Sequence, residues 1–384
     1  MDTIIIIGSA QAFFLAIFVY SKKNKSTADY VLGFWLLFIC VHLLQQYLLI
    51  TGFQYTYPFY ITIYITIGFN FPLLQGPFMF LYVVTMTNRN NRFKSVYLFH
   101  SLPFLIFSLY FILDLYFHIE IKNMFNSDEN IFTAISLVRS YTILISGPLY
   151  VILSLFMLRK YRKNIAENFS YTEQISLNWL RYVVLGFGFV WLLVIFLSLF
   201  FAFPVIANSV LGKMIYISLT IMVFFVGYNG IKQQVIYKSN PLTKIKVYDA
   251  YSTELTINKE QYKHSVLTPK KAKEYLEKLL DYFKNEKPYL NGKLSLNDVA
   301  EHLYISTNHL SQIINEQLGK NFYDFVNEYR VQEVKSLLCD SNYKKLTLLA
   351  IAFESGFNSK TSFNVVFKKI TGLTPSQYRK QKNT

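Results

Sequence analysis

The chain of 384 residues is poor in cysteine, in charge and above all in acidic groups, with 2 cysteines, 16% charged residues, and 23 Asp and Glu against 38 Lys and Arg. Cys40 falls in an apolar segment and Cys339 in a polar one. They lie too far apart in sequence and character to suggest a disulfide, so nothing points to an oxidising compartment. The first 230 residues carry no transport, protease or cofactor motif. Catalysis or coupled transport inside a membrane needs paired carboxylates, metal ligands or broken-helix ion sites. The apolar segments instead offer Asp114 and Arg139 with a few scattered polar groups, His42, Gln45, Gln46, Asn70 and Gln75. Neither an enzyme nor a cofactor or metal is expected. After Gln234 the chain has no apolar run long enough to cross a bilayer.

What the chain does have is 53% hydrophobic residues beside a formal charge of +15, a mixture that reads as a membrane protein fused to a polar, basic domain. A helix crosses a hydrocarbon core of roughly 30 Å with about 20 apolar residues. Seven spans fit, near residues 3–20, 30–50, 58–87, 96–118, 131–158, 177–201 and 209–230, making 1–230 a polytopic region. The third is too long to be straight and carries Pro72, Gly76 and Pro77, so it is expected to bend or break. The first opens with Asp2 rather than basic residues and lacks a small-residue cleavage site, which argues against a signal peptide.

Positive charge alternates along the loops. Lys22, Lys23 and Lys25, then Arg89, Arg92 and Lys94, then Arg159, Lys160, Arg162 and Lys163 load every second one. "TGFQYTY" and "PVIANS" have no basic residue, and Lys122 stands against Glu120, Asp128 and Glu129. Cytoplasmic loops are the basic ones, which places the N-terminus outside and everything after the seventh span in the cytoplasm. On that orientation Asp114 and Arg139 both lie towards the outer face and could meet. They then form either a structural ion pair between packed helices or the lining of a pocket for an unknown external or membrane ligand.

The polar remainder begins with a linker, 231–265, and an amphipathic helix, 266–290. On that helix Ala272, Tyr275, Leu276, Leu279, Leu280 and Phe283 share a stripe that packs on the next domain or on a second chain. Residues 291–384 then use one design twice. Ser295 can cap "LNDVAEHL" and Ser306 "TNHLSQIINEQL", which Gly319 ends; Thr347 can cap "LLAIAFES", Gly356 turns the chain, and Ser359 caps "KTSFNVVFKKIT", which Gly372 ends. These are two helix-turn-helix patterns, about 296–317 and 348–371. "FYDFVNEYRVQEVKSLL" joins them, with Phe322, Phe325, Val326, Tyr329, Val334 and Leu337 at helical spacing. Thr374 and Pro375 open a last helix.

The second helix of each pair has an apolar stripe, Leu310, Ile313, Ile314 and Leu318 in one and Phe363, Val366, Phe367 and Ile370 in the other. The opposite stripe presents Asn308, Ser311, Gln312 and Asn315, with Thr307 at the tip, in the first helix. In the second it presents Thr361, Asn364, Val365 and Lys368, with Lys360 at the tip. Amides pair with adenine and lysine with guanine or phosphate, so these stripes suit double-stranded DNA. Lys369, Arg379 and Lys380 add charge where phosphates would lie.

From about Leu294 to Arg379 the chain resembles the double helix-turn-helix domain of the AraC/XylS family of bacterial transcription regulators. The resemblance is carried by "IAFESGFNSKTSFNVVFKKITGLTPSQYR", with Ala352, Gly356, Phe357, Phe363, Phe367, Lys368, Gly372, Pro375 and Arg379 at matching places. Val365 stands where relatives often have arginine, and Gln312 where a basic residue is common. "LLQGPFMFLYV", "FHSLPFL" with His100 and Pro103, and "YKHSVLTPKKAKEYLEKLLDYFKNEKPYL" are similar to membrane-embedded regulators of this family from Bacteroidetes-type bacteria.

The resemblance implies an all-α fold, a seven-helix transmembrane bundle followed by a cytoplasmic double helix-turn-helix domain. It also implies a one-component regulator in the inner membrane that reads two successive major-groove segments of promoter DNA. Lipid, RNA polymerase and a second copy of the chain are the further partners it allows. The alternative is a membrane transporter or enzyme with this domain attached for regulation.

Overall fold

The apolar runs of the first 240 residues all fold as helices, because each run is long enough for its backbone to be satisfied within one segment. The computed structural model describes residues 2–23, 25–53, 58–87, 95–121, 129–172, 175–200, 210–238 and 267–382. The first eight helices are α1 (Asp2–Tyr20), α2 (Thr27–Ile50), α3 (Pro58–Thr66), α4 (Pro72–Thr87), α5 (Leu102–Ile121), α6 (Glu129–Asn168), α7 (Asn178–Phe200) and α8 (Val210–Lys238). The fold is all-α. Among the described residues, strand-like pairing is confined to an isolated antiparallel bridge between Phe169 and Ser295.

Among the described residues, six helical stretches are long and apolar enough to cross a membrane: Asp2–Tyr20, Thr27–Ile50, Thr62–Thr87, Ser95–Leu115, Thr133–Asn168 and Asn178–Leu199. Lys213–Asn229, where the seventh span was expected, is apolar but shorter. The third stretch is broken. Helix α3 gives way to a 3-10 turn at Gly68–Asn70 and the chain restarts as α4 at Pro72, a first-turn position whose missing N–H costs nothing. Pro77 sits inside α4 without ending it. The break thus comes just before the proline and glycine cluster. The basic loop of Arg89, Arg92 and Lys94 lies outside the described residues, as do Lys122 and Asp128, the "PVIANS" loop and the linker from 239 to 266. Helix α8 runs to Lys238, into the segment expected as linker.

The chain divides into two compact units, Met1–Arg159 with Asn178–Ile245, and Lys160–Leu177 with Lys246–Thr384. In the first, large apolar side chains such as Phe14, Phe34, Ile152, Phe189 and Leu199 are exposed while His42, Gln45, Gln46, Asn70, Gln75 and Arg139 are buried. Trp35 Nε1 donates to Gln75 Oε1 at 3.0 Å, and Gln75 Nε2 lies 3.2 Å from His42 Nδ1. Lys213 ties α8 to Asp2 on α1 at 2.8 Å. The expected meeting of Asp114 and Arg139 is not among the ion pairs of the described residues. The Arg139 guanidinium lies against aromatic faces, its Cζ 4.3 Å from the ring centroid of Phe69 and 4.1 Å from that of Phe111.

The second unit adds α9 (Pro269–Asn285), α10 (Leu296–His302), α11 (Thr307–Leu318), α12 (Phe322–Cys339), α13 (Leu348–Glu354), α14 (Lys360–Thr371) and α15 (Pro375–Lys382). It has two cores. Leu279 and Phe283 of α9 close the first with Leu296, Val299, Leu310, Ile314, Phe322, Phe325 and Val326. The amphipathic helix therefore packs on the following helix pair, leaving Leu280 exposed. Val331, Val334 and Leu338, the later turns of α12, form the second core with Ile351, Phe357, Phe363, Val366 and Phe367. One helix thus serves both cores, which fixes one pair to the other.

Candidate nucleic-acid interface

Local chemistry sets each helix of the two pairs. Ser295 caps α10 in a reciprocal box, its Oγ accepting from Asp298 N at 3.2 Å while Asp298 Oδ2 accepts from Ser295 N at 2.9 Å. Ser306 accepts from His309 N and Ser359 from Ser362 N, each at 3.1 Å, starting α11 and α14; Thr347 starts α13. Gly319 and Gly372 end α11 and α14 in the left-handed conformation. The tight turns between helices match bond for bond: Ile305 N donates to Ala300 O, and Phe357 N to Ala352 O, both at 3.0 Å. The residue at the left-handed corner is Tyr304, φ 53°, in the first and Gly356, φ 88°, in the second.

The exposed faces emerge largely where the periodicity put them. Asn308, Gln312 and Asn315 of α11 are exposed, with Thr307 and Ser311 half-buried; Lys360, Thr361, Asn364, Lys368 and Lys369 of α14 are exposed. Val365 is 63% exposed. The two faces differ in charge. Helix α14 carries three lysines and no acid, whereas α11 carries Glu316, no lysine and no arginine.

Several of these side chains already have partners. Gln312 Nε2 lies 3.1 Å from Glu316 Oε1, and Asn315 Nδ2 donates to Ser311 O at 2.9 Å. Lys369 reaches Asp324 Oδ1 at 2.7 Å, joining α14 to the start of α12. Arg379, expected at phosphates, donates Nη1 to Leu346 O at 2.8 Å and Nη2 to Lys344 O, which docks α15 on the loop before α13.

Beneath the two pairs lies a cation that the periodicity alone does not single out. Arg330 of α12 is 1% exposed. Its Nε donates to Tyr289 O and its Nη2 to Asn291 O, both at 2.9 Å. Nη1 donates to Ser170 O at 2.9 Å and Nη2 to Ser170 Oγ at 3.0 Å. Asn327 Nδ2 adds a bond to Ser170 O at 3.1 Å, and Ser170 Oγ donates to Leu294 O at 2.6 Å. Burial brings the Arg330 guanidinium down to about 10, still protonated at neutral pH. Residues 160–177, read from the sequence as a basic loop, are thus a built part of this unit, with Phe169, Ser170, Tyr171, Ile175 and Leu177 buried. Tyr304, at the turn of the first pair, is 94% exposed.

Residues 299–381 match a family model described as a helix-turn-helix domain. Residues of the chain are 40% identical over 91 positions to an uncharacterized HTH-type transcriptional regulator of Staphylococcus aureus (strain COL), covering 24% of this chain and 12% of that protein. They are 28% identical over 126 positions to the melibiose operon regulatory protein of Escherichia coli (strain K12), covering 33% of this chain and 40% of that one. The chain therefore spans well under half of either relative. Among solved structures, the C-terminal domain of AraT, a response regulator from Geobacillus stearothermophilus, is similar at 29% identity, covering 30% of this chain and 88% of that one with a TM-score of 0.25. The C-terminal part of the chain carries a helix-turn-helix domain of the AraC type.

Proposed function

We propose that this protein, whose C-terminal part is an AraC-type helix-turn-helix domain, is a membrane-anchored one-component regulator that binds promoter DNA in sequence-specific fashion. The observation that carries the reading is the pair of capped helices, α11 and α14, held by the shared helix α12 with polar stripes outward. Each enters a major groove, and the shared helix sets the half-sites about one DNA turn apart. Helix α14 anchors through Lys360 and Lys368, while α11 reads with amides. The apolar helices of the first unit, with their exposed Phe and Leu, support the bilayer as its surroundings. The relatives named as regulators support the same reading and not an enzymatic one.

Selection from randomised duplexes by the full chain in lipid nanodiscs tests this. A two-part motif is expected, with affinity falling roughly 100-fold between 50 and 200 mM salt if about four phosphates are contacted. No enriched motif, or salt-independent binding, sinks the proposal. In the same selection Val365→Arg is expected to shift one base from thymine, whose methyl the valine touches, towards guanine by about 1–3 kcal/mol. Lys368→Ala should weaken all sequences alike and flatten the salt slope by about one unit. An unchanged base preference in Val365→Arg removes this face of α14 from the groove.

The orientation, N-terminus outside and C-terminal unit in the cytoplasm of a bacterial inner membrane, rests on the alternating basic loops. A reporter fused after Gln234 is expected to be active only in the cytoplasm. Activity in the periplasm would overturn the orientation and the DNA role together.

A further inference from the structure

The first unit buries a cation that has no carboxylate against it among the described residues. Arg139 is 8% exposed, and its Nε and Nη1 donate to nothing among the described residues. The rings of Phe69 and Phe111 that flank it attract the charge but offer no lone pair to its N–H groups. Further orphaned atoms lie on the same elements. Oδ1 of Asn70, a residue 0% exposed and next to Phe69, has no donor, although its Nδ2 bonds Thr66 O at 2.9 Å and Ser108 Oγ at 3.1 Å. Ser136 Oγ, about one turn before Arg139 on α6, is buried without a partner.

Interior polar groups of packed helices ordinarily find partners. A guanidinium, a hydroxyl one turn before it on α6 and an amide oxygen next to the Phe69 that flanks the guanidinium are left over together and suit a partner from outside the chain. The leftover set states its chemistry: an anion to accept from Arg139, with an N–H or O–H to give to Asn70. Water would fill the hydrogen bonds and leave the charge uncompensated. We infer that Arg139, Ser136 and Asn70 form a binding site for a small organic carboxylate, walled by Phe69 and Phe111. The site stands apart from the DNA-binding reading, and its test uses no DNA.

Thermal unfolding of the full chain in nanodiscs is followed with glycolate, lactate, malate or mandelate, hydroxy acids that supply both the carboxylate and an O–H donor, each against its neutral amide at equal ionic strength. At least one carboxylate is expected to raise Tm on the order of 3 °C above its amide. Arg139→Gln removes that difference. No separation between any carboxylate and its amide in the wild type, the result for a water-filled site, overturns the inference, as does a separation that survives in Arg139→Gln. Should that variant not fold, Ser136→Ala keeps the charge and must move the carboxylate midpoint to higher concentration; an unmoved midpoint is equally fatal.

A different observation carries a second inference, which rests on the DNA-binding reading. Ser170 is held by Arg330 and Asn327 of α12 and by Leu294 at the edge of α10, where the loop between α9 and α10 also meets Arg330. The geometry points to Ser170 as a positioning residue that sets the spacing of the two recognition helices, and so the half-site spacing, without touching DNA. Ser170→Lys sets a second cation against Arg330 and evicts the segment. In the duplex selection with the full chain it is expected to keep the half-site sequences and spread their spacing over several base pairs, while Ser170→Thr keeps both. An unchanged spacing overturns the inference. Loss of the half-sites themselves does so too, since it shows a merely structural role, and failure of the wild type to select any motif separates this failure from that of the DNA reading.

Discussion

Arg330→Met is expected to cost the C-terminal unit about 3–5 kcal/mol. The substitution removes a desolvated charge, which by itself is favourable, and it nearly conserves volume. Against that, the carbonyls of Tyr289 and Asn291 lose their guanidinium donors, and Ser170 O keeps only Asn327. Hydrogen bonds to a charged group contribute about 1.5–3 kcal/mol each, and acceptors left buried without a donor cost about 1–3 kcal/mol each. The second sum exceeds the first because no carboxylate shares the site, so there is no ion pair for an apolar residue to replace. Arg330→Lys keeps the charge but cannot reach both loop carbonyls and Ser170 at once, and should fall between.

Denaturant unfolding of the full chain, followed by amide exchange at Val331 and Val334, measures the loss; a cost under about 1 kcal/mol would show that the carbonyls find other donors. The pH dependence has a defined sign. The folded value of about 10 lies below the unfolded one, so this group adds no slope between pH 6 and 8 and makes the unit more stable only as pH rises past about 10.

Gly356→Ala is expected to cost about 3 kcal/mol or more at a position that makes no side-chain contact at all. Its φ of 88° is unfavourable for any L side chain, and a Cβ there would lie 2.1 Å from Tyr289 O and 2.9 Å from Leu290 Cα. Those are backbone atoms of the loop that also receives Arg330, so relief requires moving that loop and its hydrogen bonds. Left-handed strain alone contributes about 1–2 kcal/mol, and the clash supplies the rest. Tyr304 is the control. It occupies the same corner of the first pair at φ 53° with its side chain in the open, so Tyr304→Gly should change stability by less than about 1 kcal/mol. Equal effects at the two corners would mean that dihedral strain, not the approach of the 289–290 backbone, makes glycine necessary.

The two corners also show where sequence is informative and where it stops. A glycine before a capping serine marks a turn, and Gly356 was legible as one; that the corner at Tyr304 is open and the one at Gly356 crowded was not, since nothing local separates the two. The exposed stripe of α14 was legible because period 3.6 sorts Phe363, Val366 and Phe367 from Asn364, Val365 and Lys368 without reference to any other element. Lys369 and Arg379 show the limit of that sorting. Their charge invited a phosphate, and the fold gives them Asp324 and the carbonyls of residues 344 and 346.

The sequence by itself determined the helices of the C-terminal unit, their caps and their faces. Those properties follow from apolar spacing and from caps that reach backbone N–H groups within three residues, interactions local enough to be read along the chain. Only the tertiary structure decided that Arg139 lies between Phe69 and Phe111 rather than with Asp114, and that residues 160–177 belong with the C-terminal unit. In the second case the deciding bonds join Ser170 to Arg330 across 160 positions and are made largely to backbone carbonyls. Every residue has a carbonyl, so acceptors of that kind leave no mark in the order of side chains, and only the folded chain selects which of them the buried guanidinium meets.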